Sequence, residues 1–341
     1  MEYPINDKHA TFVYFGIVTV YLIALLFKKL YYKALFGRQY IIIPQPQIKS
    51  ISNISMLTAM NIALIITISM ISNQMMSFLF KIYPGSRFLI ENILIKMGGI
   101  LFGPIIGIFI GFSTDLLTVI LTSSVLNYGY FLSAIMNGFF GGIINNLIRM
   151  HRTNKNTPAW IAGGMTVAGL IYLGILLKNN DGGDSRYTMN LLSFSFGIKW
   201  SHILLFVSFL VGIVLYFLTV STMAVNRVNE EEFKNTEWVH KYAKLYEFFL
   251  IFTTNCAIYL IVDMVSLPLF DVKLSSLPYE QFLIARIFTS IPSVIVFSNI
   301  MWYIYKLHNS VKGSIWVHRN NESGLMPEPE KKRKLLPLVI Q

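Results

Sequence analysis

The chain has 341 residues, of which 54% are hydrophobic and 13% charged, and it carries a formal net charge of +11. An ordinary soluble domain has about 25% charged residues, so this balance excludes a soluble globular protein and implies a polytopic membrane protein. The positive charge does not mark a nucleic-acid binder. The basic residues cluster at the ends of apolar spans, as the positive-inside rule requires. A single cysteine, Cys256, inside an apolar span excludes a disulfide framework and a CxxC metal site.

Thr11 to Phe27 reads as a retained first helix, because no basic stretch precedes it and no small-residue cleavage site follows. Lys28, Lys29, Lys33, Arg38 and Lys49 come next, which puts this side in the cytoplasm and the N-terminus outside. A second span, Ile54 to Leu79, carries Ala59 and Ala63, a small patch where a partner helix can approach closely. The third, Arg87 to Leu101, is short and holds Arg87, Glu91 and Lys96. Each ion costs about 2.5 to 3.5 kcal/mol at the centre of an inserted helix, so this segment must be sheltered by its neighbours or line a cavity. Arg87 and Glu91, four apart, can pair. Lys96 lies roughly 140° round the helix from Glu91 and needs a different partner.

The stretch from Gly99 to Asp115 follows. Gly103, Gly107, Gly111 and Asp115 recur every four residues, forming one stripe without side chains that ends in a carboxyl group. Pro104 suits the first turn of this helix, and Asp115, roughly 16 Å further on, falls near the bilayer middle. The acid is either satisfied by a neighbour across a packing seam or part of a functional site. A polar loop, Thr122 to Gly129, leads into Phe131 to Ile148, where Ala134, Gly138 and Gly142 repeat the small stripe and Asn137, Gly141 and Asn145 make a polar one beside it. Two successive helices seamed in this way are expected to pack closely. Arg149, His151, Arg152 and Lys155 mark the return to the cytoplasm.

Trp160 to Leu177 and Ile203 to Val220 read as two more spans, joined by an external turn-rich loop from Asn179 to Arg186. The mixed-charge segment between Arg227 and Lys244 reads as a solvated cytoplasmic helix. Leu245 to Val265 spans outwards with Asn255, Tyr259 and Asp263 on one stripe, and an outer loop is expected around Pro268 and Pro278. The last span, Phe282 to Tyr305, starts with Arg286, carries Thr289, Ser290 and Ser293 on the same side, and can kink at Pro292. Basic residues up to Lys334 put the C-terminus inside, and the end beyond Ser310 reads as a disordered tail. The pattern therefore predicts an all-α integral membrane protein of about nine transmembrane helices in the cell membrane.

The block from Gly99 to Asp115, followed by Tyr130-Phe-Leu-Ser-Ala-Ile-Met-Asn-Gly138, resembles the substrate-binding S component of energy-coupling factor (ECF) vitamin transporters, the folate type in particular. Ala59 and Ala63 are similar to the patch with which S components dock on the transmembrane coupling protein. Phe282-Leu-Ile-Ala-Arg-Ile287 is similar to the start of their last helix. The resemblance implies a six-helix bundle over residues 51–155 and 244–309, with an extra N-terminal helix in 1–50, an inserted helix pair and charged segment in 156–243, and a tail in 310–341. It further implies that the chain binds a vitamin outside and delivers it through one coupling protein and two ATPase subunits. No G-x-x-x-x-G-K-[ST] phosphate loop is present, so ATP hydrolysis is expected in partners.

A folate-like ligand is flat, aromatic and anionic, so its pocket needs rings and a guanidinium. Arg87 and Arg286, near the outer ends of their helices, are candidates for the anion, and Tyr128 and Tyr130 for the aromatic walls. Glu91, Asp115 and Asn137 are candidate partners for donor groups on a pterin-like ring. Arg286 either contacts ligand or pairs with Asp263. No catalytic residue, metal site or cofactor is expected: none of the six histidines forms an HExxH or a triad. The rival functions are an S component for riboflavin or thiamine and a stand-alone proton-coupled carrier that uses Asp115 and Asp263 as relays.

Overall fold

The computed structural model describes residues 7–36, 48–75, 86–122, 126–151, 154–179, 187–191, 194–228, 230, 233, 236–273 and 279–310. Among the described residues there are nine helices: α1 (Asp7–Phe36), α2 (Ile48–Met75), α3 (Ser86–Phe102), α4 (Pro104–Thr122), α5 (Tyr128–His151), α6 (Thr157–Asn179), α7 (Trp200–Arg227), α8 (Glu237–Asp271) and α9 (Tyr279–Ser310). Seven of these are long and apolar enough to cross a bilayer; the exceptions are α2, whose apolar part is Ile51–Thr67, and the short α3. The protein is an all-α, multi-pass membrane protein.

The first half is organised on α5, which α3 and α4 both contact closely. A single residue, Gly103, with φ +95, separates α3 from α4; this left-handed backbone is one that side chains disfavour, and it lets the chain reverse at once. As a result α4 runs antiparallel to α5, with Pro104 beside Gly142, Gly107 beside Gly138 and Gly111 beside Ala134, while α3 runs parallel to α5, with Lys96 beside Gly141 and Gly99 beside Gly138 and Gly142. A Cβ on Gly107 would overlap the carbonyl oxygen of Gly138, and one on Gly138 would overlap that of Gly107. The helices meet backbone on backbone, as a glycine seam allows. α2 packs on α3 and α4, with Ala59 and Ala63 on its exposed side.

The second half is organised on α8, which touches α5, α6, α7 and α9. Its most apolar window is 78% buried, against 11% for α1, so α8 is the central post and α1 a peripheral one. Within α8, Tyr259–Ser266 is a π-helical segment, and Leu267–Asp271 returns to α-helix. Ser266 Oγ donates to the Ile261 carbonyl, five residues back, at 2.8 Å, and Pro268 has no N–H to give; both accommodate the wider turns.

Several expectations are corrected. Beyond the stretch expected as a loop, β1 (Tyr187–Leu191) pairs antiparallel with β2 (Phe194–Ile198), and β1 lies beside α9. Its period-2 pattern is too short to stand out beside the long apolar spans. The charged segment from Arg227 to Lys244 is not one helix: α7 ends at Arg227 and α8 begins at Glu237, running unbroken into the membrane. Pro268 sits in the last helical turns of α8 and not in a loop: it is the second residue of Leu267–Asp271, the α-helical stretch that directly follows the π-helical segment. Pro292 lies inside the continuous α9. Arg38, Ser123–Val125, Asn180–Arg186, Pro278 and the tail beyond Ser310 lie outside the described residues.

Candidate functional site

Two groups of buried ionisable residues line α8. The first is at its C-terminal end, where Asp271 meets Arg286 from α9 and Tyr130 from α5. Arg286 donates to Asp271 Oδ2 from Nε at 3.2 Å and from Nη2 at 2.6 Å, and the Tyr130 hydroxyl donates to Oδ1. All three side chains are buried, so the pair is neutralised inside and removing either partner would strand a charge. Beside it, Tyr128 stands exposed, edge-on to Phe270, with Lys273 Nζ 5.8 Å above its ring. This end of the bundle combines a guanidinium, an ammonium and an accessible ring.

The second group lies deeper, around Lys96 of α3. Its Nζ is 3.8 Å from Asp263 Oδ2, 3.4 Å from Asn255 Oδ1 and 4.8 Å from the centre of the Tyr259 ring. Asn92 donates to Asp263 Oδ1 at 3.2 Å, and Asn255 passes the chain on to Ser298 Oγ at 3.1 Å. Lys96 is 1% exposed and Asp263 3%, so this ion pair lies wholly inside the protein.

The π-helical segment explains how one helix serves both groups. On a regular α-helix, at about 100° per residue, positions drift about 80° every eight residues, so Asn255 and Asp263 share a broad face but Asn255 and Asp271, sixteen apart, would point about 160° apart. Turns closed five residues back advance only about 80° per residue, which cancels most of that drift across Tyr259–Ser266. The peripheral α1 buries Tyr14 in the common core, and its Tyr21 hydroxyl accepts from the Asn146 amide of α5 at 3.0 Å.

The expected site residues separate into distinct places. Tyr128, Tyr130 and Arg286 come together. Glu91 is buried on α3 and Asp115 on α4. The Asn137 amide donates to the Ser133 carbonyl of its own helix at 2.9 Å. Arg87 lies in α3 with its side chain outside the described residues. The pairing of Arg286 with Asp263 is replaced: Arg286 takes Asp271, and Lys96 takes Asp263. Asp271 follows Pro268 in what reads as a loop, so nothing in the sequence marked it as an intramembrane partner. Lys96 was marked by needing a partner other than Glu91, but sequence spacing alone does not identify one on α8.

Among the described residues, no three His, Cys, Asp or Glu side chains gather as a metal site. No family model matches the chain, and no solved structure matches it. It is similar to an uncharacterized protein, the MG098 homolog of Mycoplasma pneumoniae, at 29% identity over 320 residues, covering 83% of this chain and 66% of that protein's length. The chain thus spans just under two thirds of that relative.

Proposed function

We propose that this chain is the substrate-binding membrane subunit of an ECF-type importer, which captures folate or a related pterin outside the cell and relies on a coupling protein and two ATPase subunits for its energy. The observation that carries the reading is the C-terminal end of α8, where Lys273 lies over the exposed Tyr128 ring and Asp271 holds the buried Arg286. A flat anionic ligand needs a stacking surface beside a cation, which Tyr128 and Lys273 supply, and its carboxylate would compete with Asp271 for the Arg286 guanidinium. The exposed Ala59 and Ala63 on α2 support docking of a partner helix, and the net charge pattern supports a cell-membrane chain with its N-terminus outside and C-terminus inside.

The test is native mass spectrometry of the purified chain, followed by titration with folate, riboflavin and thiamine. A retained pterin and tightest binding of folate are expected. Arg286→Lys keeps a charge for Asp271 but loses the planar fork, so folate affinity should fall at least about tenfold, or about 1.4 kcal/mol. A retained flavin or thiamine overturns the folate assignment and leaves the importer reading in place. The Lys96–Asp263 pair favours a second reading, a proton-coupled carrier. Uphill uptake by the reconstituted chain alone under a pH gradient would establish that reading and defeat the first.

A further inference from the structure

The helices α7 and α9 both lean on α8 and leave between them a cleft of ≈ 320 Å³, walled by Val207 to Phe217 of α7 and Ile287 to Ile295 of α9. That volume falls at the lower end of ligand-binding cavities. The lining is hydrocarbon and aromatic. The Ser290 hydroxyl is turned back to the Ile287 carbonyl at 2.7 Å, so it offers nothing to a polar guest. The floor is α8: Phe248, Phe249, Phe252 and Cys256 before the π-helical segment and Tyr259, Leu260 and Met264 within it, and Lys96 Nζ lies over the Tyr259 ring.

We propose that the cleft holds one acyl chain of a bilayer lipid, seated against Tyr259. The surroundings decide the occupant. The cleft opens between two membrane spans, where the available molecules are lipids and other helices. The ten steps from Val207 to Phe217 along α7 give it a length of about 15 Å, half the hydrocarbon thickness of about 30 Å. A transmembrane helix of a partner or a second copy would need the full thickness and a groove about 10 Å wide. A single chain entering from one leaflet needs neither. The bound chain also backs the ring that carries Lys96, so lipid occupancy and the buried ion pair share one wall. This inference stands apart from the vitamin reading, because α7 takes no part in the Arg286 end.

The experiment uses the full chain in vesicles of phosphatidylcholine and phosphatidylglycerol, doped with phosphatidylcholine bearing a photoactivatable diazirine midway along one acyl chain. After irradiation, adducts are mapped by mass spectrometry of peptides. Adducts at Val211 and Val294 should exceed those at the outward-facing Leu205, Phe209 and Tyr216 at least fivefold, although these last are far more exposed. In Val211→Phe/Val294→Phe, which fills the cleft, the cleft adducts should fall at least fivefold while outward labelling stays unchanged. Labelling that simply follows exposure overturns the proposal. So does a dimer seen by native mass spectrometry that the filled variant loses, because a second copy would then be the occupant. If the filled variant does not fold, the wild-type adduct map alone decides.

Discussion

The two halves of the molecule hold membrane helices together by opposite means. In α3–α4–α5 the side chains are removed: Gly99, Gly107, Gly138 and Gly142 let backbones touch, and nothing more can be inserted. Around α8 the side chains carry the contacts, through Lys96–Asp263, Arg286–Asp271 and Asn255–Ser298, and the packing leaves a cleft. Dispersion between close backbones needs no partner chemistry and is rigid. Buried ion pairs contribute less net stability, but they fix which residue faces which and can respond to a ligand or a proton. The contrast separates a rigid glycine seam from a side-chain interface to which the first half contributes Lys96 of α3 and Tyr130 of α5.

Substitutions can break this comparison, beginning with the seam. Gly107→Leu would force the side chain into the Gly138 backbone, which cannot yield as a flexible side chain would, and should cost above about 4 kcal/mol, the exceptional range for one change. Little extractable folded protein on size-exclusion chromatography is the expected result; a normal yield would mean the seam is looser than described. Next comes Lys96→Ala, which strands Asp263 in the interior at about 3–5 kcal/mol. The double variant Lys96→Met/Asp263→Leu should recover most of that loss in detergent unfolding titrations, with a coupling of at least about 1 kcal/mol. Additive losses would show that the two residues do not act as a pair.

Smaller effects sharpen the contrast. Gly212 of α7 has no heavy atom near where a Cβ would stand, so Gly212→Ala should stabilise by about 0.5–1 kcal/mol through helix propensity, the reverse of the seam. Thermal denaturation in detergent reads the sign. Ala63→Leu, on the exposed side of α2, should change stability by no more than about 0.5 kcal/mol while reducing recovery of partner subunits in pull-downs. If recovery is unchanged, the alanine face is a lipid face.

Much of this was legible in the residues. The recurrence of glycine every four positions on successive helices exposes a side-chain-free seam, and the polarity of Lys96 and of the Asn255, Tyr259, Asp263 stripe marks them as inward-facing. The β1–β2 pair and Asp271 were not legible. The ten paired residues of β1 and β2 are brief beside 20-residue apolar spans, and Asp271 follows a proline that usually breaks a helix.

The sequence by itself determined that the chain is a multi-pass helical membrane protein, because apolar length and basic flanks act locally, one span at a time. Only the tertiary structure decided the pairings of Lys96 with Asp263 and Arg286 with Asp271. The reason is rotational: whether Asn255 and Asp271, sixteen residues apart on α8, face the same way depends on the wider turns of Tyr259–Ser266, which the local sequence pattern does not announce.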